Sequence, residues 1–148
     1  MIAATIADLD GIGIFFGQKY YWEYHHKLGH NLFFGLLSSL MLAYFARQHL
    51  KTFVVCLLLF HLHLLMDYFG SGPGWHIHYL WPLGNLILIN PNSWDFYSWQ
   101  NLLVFLLLLL WTLWIARQKG RTPVETITPR LDGEMVAALR RITRYNPA

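Results

Sequence analysis

Residues 52–69 read Thr-Phe-Val-Val-Cys-Leu-Leu-Leu-Phe-His-Leu-His-Leu-Leu-Met-Asp-Tyr-Phe, and this stretch decides the fold. It is close to the ~20 apolar residues a helix needs to cross a bilayer, and nothing in it before His61 is ionisable except Cys56. His61, His63 and Asp67 then crowd its C-terminal end. Ionisable groups at bilayer depth are costly, so they point to function and to the interior of a helix bundle.

The flanking sequence supplies partners for this helix. Upstream, Asn31–Ala46 carries no charge and, with the polar and aromatic lead-in of residues 18–30, predicts a first spanning helix. Arg47-Gln48-His49-Leu50-Lys51 separates the two, so they form a helical hairpin. Downstream, Gly70-Ser71-Gly72-Pro73-Gly74 cannot continue a helix. Residues 75–101 are rich in Trp, Tyr, Pro and Asn, with a short apolar piece at Leu86–Ile89, and read as an aromatic loop at the membrane interface. Trp99–Ala116 is the third expected span. Met1–Gly17 is apolar apart from Asp8 and Asp10 and lacks the basic start and cleavage site of a signal peptide. It predicts a short half-spanning helix ending near Asp8, either re-entrant or preceded by further residues. The expected architecture is an all-α membrane protein: three full transmembrane helices, a short N-terminal helix, an aromatic interfacial loop and a basic tail.

Composition agrees. The chain is 55% hydrophobic, 17% aromatic and only 13% charged, far below the roughly 25% charged residues of soluble domains. Cys56 is its single cysteine, a small core residue that rules out a disulfide framework. Residues 1–116 carry four Lys/Arg against five Asp/Glu, whereas residues 117–148 carry seven against three. The chain therefore divides into a membrane-embedded region, 1–116, and a basic tail, 117–148, in which the amphipathic piece Asp132–Tyr145 reads as a surface helix or a partly disordered segment. No basic patch interleaved with aromatics suggests nucleic-acid binding. Arg47 and Lys51 share an end of the bundle with Arg117, Lys119 and Arg121, and the positive-inside rule makes that end cytoplasmic. The histidine-bearing segments then meet at the outer face.

Seven of the eight histidines lie in residues 23–31 or 61–78. In a helix, Glu23, His26 and His30 occupy one stripe, and His63 and Asp67 form a matching i, i+4 pair. Imidazole and carboxylate are the donors that zinc and other first-row divalent ions prefer. His61, two residues from His63, points away and has at most a supporting role. His76 and His78 fit interfacial anchoring as well as ligation, His49 beside the basic turn is structural or solvated, and Asp95 is a cap or turn residue. Glu23 also has Lys19 and Lys27 four residues away as ion-pair partners.

In order, Asp8-Leu-Asp10, His25-His26-Lys-Leu-Gly-His30-Asn, His63-Leu-Leu-Met-Asp67-Tyr and Trp81-Pro82 resemble the motifs of the YdjM-like group of bacterial membrane-bound metal-dependent hydrolases. The resemblance covers residues 8–82. It departs from the group's usual His-Arg-Gly-x-Thr-His-Ser in the histidine segment, which leaves the ligand role between His25 and His26. What it implies is a hydrolytic metal centre lined by Asp8, Asp10, His25 or His26, His30, His63 and Asp67, in a multi-pass protein of the bacterial inner membrane. Zinc is the expected ion, with manganese next. Glu23 or one of Asp8 and Asp10 would be the general base. The substrate would be a membrane lipid or lipid-linked small molecule with an ester or phosphoester at the outer headgroup level.

Three other readings compete. A non-enzymatic redox protein would use His26 or His30 with His61 or His63 as axial haem ligands, but this leaves Asp8, Asp10 and Asp67 without a task. A di-iron carboxylate site wants two Glu-x-x-His motifs, and only Glu23-Tyr-His-His26 is present. A structural membrane protein must explain why costly groups cluster at one end.

Overall fold

Asn31 fixes where the first apolar run becomes helix. Its side chain accepts the backbone N–H of Phe34 at 2.8 Å, an N-cap, while its amide NH2 donates to the carbonyls of Lys27 and Leu28 at 2.8 Å each. The computed structural model describes residues 2–126 and 128–144. The described residues are helical apart from loops and one isolated bridge: α1 (Ile2–Thr5), a 3₁₀ segment (Ile6–Phe16), α2 (Gln18–Tyr24), α3 (Leu32–Tyr44), α4 (His49–Gly70), α5 (Trp99–Lys119), a second 3₁₀ turn (Pro123–Thr126) and α6 (Pro129–Ile142).

Two of these helices, α4 and α5, are long and apolar enough to cross a membrane. The expected first span is shorter than its sequence suggested, because Asn31 delays it and α3 holds only 13 residues. At 1.5 Å per residue that is about 20 Å, against a hydrocarbon core of about 30 Å. The N-terminal segment departs the other way. It does not end near Asp8 but continues in 3₁₀ form to Phe16, where Gly17 stops it at φ 122°. The basic turn is also shorter than read, since His49 already opens α4.

The chain falls into two units, residues 1–98 and 99–148. In the first, α3 and α4 form an antiparallel hairpin whose register shows in three pairings: His49 Nδ1–H donates to the Ala43 carbonyl at 2.8 Å, Phe60 packs on Gly35, and His63 meets His30. Small residues on α3 (Gly35, Ser38, Ser39, Ala43) let the helices approach closely, as membrane helix pairs require. Ile6 and Ala7 insert between them and share a core with Phe60, Leu64 and Ile77. That insertion carries Asp8 and Asp10 to the end of the hairpin that holds His30 and His63. The aromatic loop closes over it. Leu32 N–H bonds the Tyr79 carbonyl at 2.8 Å, Ile77 bridges Leu88, and Trp94 N–H bonds the Phe69 carbonyl at 2.9 Å.

The contact at Gly35 gives a direct check. A Cβ there would lie 2.5 Å from Phe60 Cε1 and 2.6 Å from Cδ1. Gly35→Ala should destabilise the hairpin by about 1–3 kcal/mol through overpacking. Thermal unfolding in detergent should show a lower Tm that Phe60→Leu in the same chain partly restores.

In the second unit, α6 folds back on the end of α5. Asp132 is buried and accepts both the backbone N–H of Thr122 at 2.7 Å and its hydroxyl at 2.6 Å. Arg140 Nε donates to the Arg117 carbonyl at 3.2 Å. The surface helix expected over 132–145 exists as α6, beginning three residues earlier with Pro129 in its first turn. Tyr145 lies outside the described residues.

Candidate metal centre

The expected helical stripe of Glu23, His26 and His30 does not form. Helix α2 stops at Tyr24, His25 is extended (ψ 138°) and His26 adopts a left-handed φ of 65°, so residues 25–31 are a tight loop. A non-glycine residue held at positive φ needs surroundings that enforce it. Here the Asn31 side chain closes the loop from inside, and the His78 N–H reaches the His26 carbonyl at 3.3 Å. Glu23 is left on the exposed face of α2 and belongs to none of the His/Asp groupings described below.

The loop delivers His30 instead, fully buried (0% exposed), to the centre of a carboxylate cluster. Its Nε2 lies 3.3 Å from His63 Nε2, 3.2 Å from Asp67 Oδ2 and 3.7 Å from Asp8 Oδ1. His63 Nε2 in turn is 3.1 Å from Asp67 Oδ2 and 3.3 Å from Asp8 Oδ1. Four donor atoms from the N-terminal 3₁₀ segment, the 25–31 loop and α4 thus converge within 3.1–3.7 Å over these five separations. Donors placed tetrahedrally at about 2.0–2.1 Å from a zinc-like ion stand roughly 3.3–3.4 Å apart.

Orientation supports the same fit. Asp67 Oδ2 is buried and has no hydrogen-bond partner among the described residues, although two imidazole nitrogens lie within 3.2 Å. A buried carboxylate oxygen left without a hydrogen-bond donor beside two imidazole nitrogens suits a cation between them. The other oxygen, Asp67 Oδ1, is held by the Ser71 hydroxyl at 3.2 Å. His30, His63, Asp8 and Asp67 therefore form a donor set that could hold a metal ion; Asp8/His30/His63 within it have the required closeness, as do His30 and Asp67 together with the neighbouring His26. Asp8 is the open edge, with half its side chain exposed (52%).

Asp8 and Asp10 face different partners rather than one shared point. In a 3₁₀ helix, with three residues per turn, positions two apart diverge. Asp8 reaches His63, while Asp10 turns to the loop. Its Oδ1 accepts His25 Nδ1–H at 2.7 Å, and its Oδ2 accepts His30 Nδ1–H at 3.0 Å and the Gly29 N–H at 2.9 Å. Asp10, His25 and His30 also form a grouping with metal-like closeness. However, a 2.7 Å separation is a hydrogen bond, shorter than the edge of a metal polyhedron. Asp10 fixes both imidazole tautomers and presents the Nε2 of His30 to the donor cluster, the usual arrangement of a carboxylate behind a metal-binding histidine.

Sequence reasoning missed Gly29. A Cβ there would collide with the Ala7 carbonyl, so only glycine allows the loop to lie against the 3₁₀ segment. A glycine one residue before a candidate ligand was the available signal. The choice between His25 and His26 is also answered in part. His25 pairs with Asp10 and stacks on Tyr21 (centroids 4.6 Å). His26 is buried beside His30, with its Nε2 4.0 Å from Asp67 Oδ2, outside the tight set, and its Nδ1 unpartnered among the described residues. His61 faces away, donating from Nδ1 to the Leu57 carbonyl at 2.8 Å and meeting Tyr79 Oη at 2.9 Å in an apolar groove on the other side of α4. His76 and His78 join none of the groupings.

Burial disfavours charge on His26 and His30, with opposite outcomes. It pushes His26 down to about 3, helped by His30. For His30 the carboxylates of Asp10, Asp67 and Asp8 outweigh burial and push it up to about 11. Raised in this way, His30 holds through the neutral range a proton that a cation must displace. Divalent-ion affinity should rise with pH through the neutral range, roughly tenfold per unit for one proton released. Calorimetry in buffers of different ionisation enthalpy should detect that proton.

Comparison with protein-family models, with curated proteins and with solved structures found no match, so the donor geometry stands on its own.

Proposed function

We propose that this chain is a membrane-bound, divalent-metal-dependent hydrolase acting on an ester or phosphoester of a membrane lipid or lipid-linked molecule. The observation that carries this reading is the convergence of His30, His63, Asp8 and Asp67 with a buried, unbonded carboxylate oxygen at its centre. Zinc suits two imidazoles with two carboxylates, and manganese is the next choice. The resemblance to the YdjM-like hydrolases rests on these same residues.

A divalent ion at this position supplies Lewis acidity toward a substrate oxygen and an acidified water. The protein's own groups have separable tasks. Asp8 and Asp67 neutralise the cation, and the exposed side of Asp8 is where substrate enters. Asp10 orients His30 and, through its other oxygen, His25, whose ring centroid is 5.3 Å from that of His30. His25, held by a carboxylate and in edge contact with His30, is better placed to take a proton than Glu23 on the exposed face of α2. In this reading α4 and α5 cross the bilayer, α3 packs on α4, and by the positive-inside rule the basic residues at 47–51 and those at 117–121 each suit the cytoplasmic side of a bacterial inner membrane. His63 is seven residues short of Gly70, so the site is recessed about 10 Å from the end of α4. That depth suits a bond just below the lipid headgroups on the outer side.

The haem alternative fits less well. The Nε2 atoms of His30 and His63 are 3.3 Å apart with no slot between them, and His61 is spent on Leu57 and Tyr79. Purified protein should hydrolyse phosphodiester or carboxylic-ester lipid substrates, lose activity to a chelator and regain it with zinc. Glu23→Gln should retain activity and His25→Ala should lose most of it. Activity indifferent to both chelator and Asp67→Asn would refute the reading.

A further inference from the structure

Helix α6 has two apolar faces, and only one is used. Val136 and Asp132 are buried toward the end of α5 and the turn that follows it. Leu131, Met135, Ala138 and Ile142, spaced four, three and four residues apart, line a second face that is exposed. Leu131 and Met135 are each 51% exposed and Ile142 81%. Arg130 and Arg141 flank this stripe, and Arg144 follows it.

The position of α6 identifies what lies next to that stripe. Near its start it is fastened through Asp132 to Thr122, three residues past α5, and near its end through Arg140 to the Arg117 carbonyl in the last turn of α5. A helix pinned to the last turn of a membrane span lies at headgroup level. We propose that α6 lies in the interface of an anionic leaflet, with Leu131, Met135, Ala138 and Ile142 sunk to the acyl boundary and the flanking arginines among lipid phosphates. Seven Lys/Arg against three Asp/Glu over residues 117–148 give the charge complementarity, and a basic face beside an apolar stripe is the pattern of interfacial helices. This surface is separate from the metal centre and rests only on the reading of α5 as a membrane span.

The test uses the full chain in vesicles, with Cys56→Ala as background and an environment-sensitive fluorophore on Met135→Cys, Glu134→Cys or Leu107→Cys. The expected result in vesicles containing phosphatidylserine is blue-shifted, quencher-protected emission from position 135, water-like emission from 134, and apolar emission from 107. In phosphatidylcholine alone the signal at 135 should move toward that of 134. Replacing Arg141 and Arg144 with Gln should reduce the docked fraction about fivefold per residue. Water-like emission from 135 with 107 still apolar would overturn the docking but leave the span intact. Water-like emission from 107 would overturn the span and the docking with it. Protection of 135 that follows protein density rather than anionic lipid would assign the stripe to a second copy of the chain and also overturn the proposal.

Discussion

His30→Ala is expected to abolish tight binding of a divalent ion and to loosen residues 25–31 at the same time. Four donors share an apparent ~10–16 kcal/mol for a structural zinc site at pH 7, so one lost imidazole should cost two orders of magnitude or more in affinity. His30 has a second task, because its Nδ1–H satisfies buried Asp10 and its Nε2 lies against Asp67. Breaking such a buried network by removing one partner typically costs about 3–5 kcal/mol. The variant should therefore show both a lower Tm without metal and no rise in Tm when zinc is added. A wild-type-like rise would remove His30 from the donor set.

Asp10→Asn should behave differently. Asparagine keeps the shape but cannot accept from His25 and His30 with both terminal atoms, so one imidazole loses its fixed tautomer. The donor set itself stays intact. Affinity should fall roughly 10–100-fold, the usual cost of losing a carboxylate behind a metal-binding histidine, while full stoichiometry returns at saturating zinc. Competition with a chromophoric chelator measures this. An Asp10→Asn defect as severe as that of Asp67→Asn, with no recovery at high zinc, would make Asp10 a direct ligand, as the bare Asp-x-Asp motif suggests.

Much of this arrangement could be read from residue order. The apolar run ending in His63 and Asp67 announced α4, and counting spans brought residues 23–30 and 63–67 to one end, whereas Asp8 and Asp10 joined them only through the resemblance. What could not be read was local backbone shape. Glu23, His26 and His30 are spaced for a helical stripe, yet His26 sits at φ 65° because Asn31 closes the loop and His78 bonds its carbonyl. These are contacts across the fold that no spacing rule contains. The split between Asp8 and Asp10 has the same origin. An alternating pair can share a face in a strand or diverge on a helix, and only the 3₁₀ geometry of Ile6–Phe16 decides. Likewise the first span is overestimated when the lead-in of residues 18–30 is counted with the apolar run, whereas physically the Asn31 cap begins α3.

The most direct test of the central claim is X-ray absorption at the metal edge of the purified, zinc-loaded protein, with metal content determined on the same sample. The geometry predicts a first shell of light N and O donors at about 2.0–2.1 Å, including the multiple-scattering signature of two imidazoles, and its loss in Asp67→Ala. A shell containing sulfur, a shell with no histidine scattering, or metal content unchanged by Asp67→Ala would contradict it.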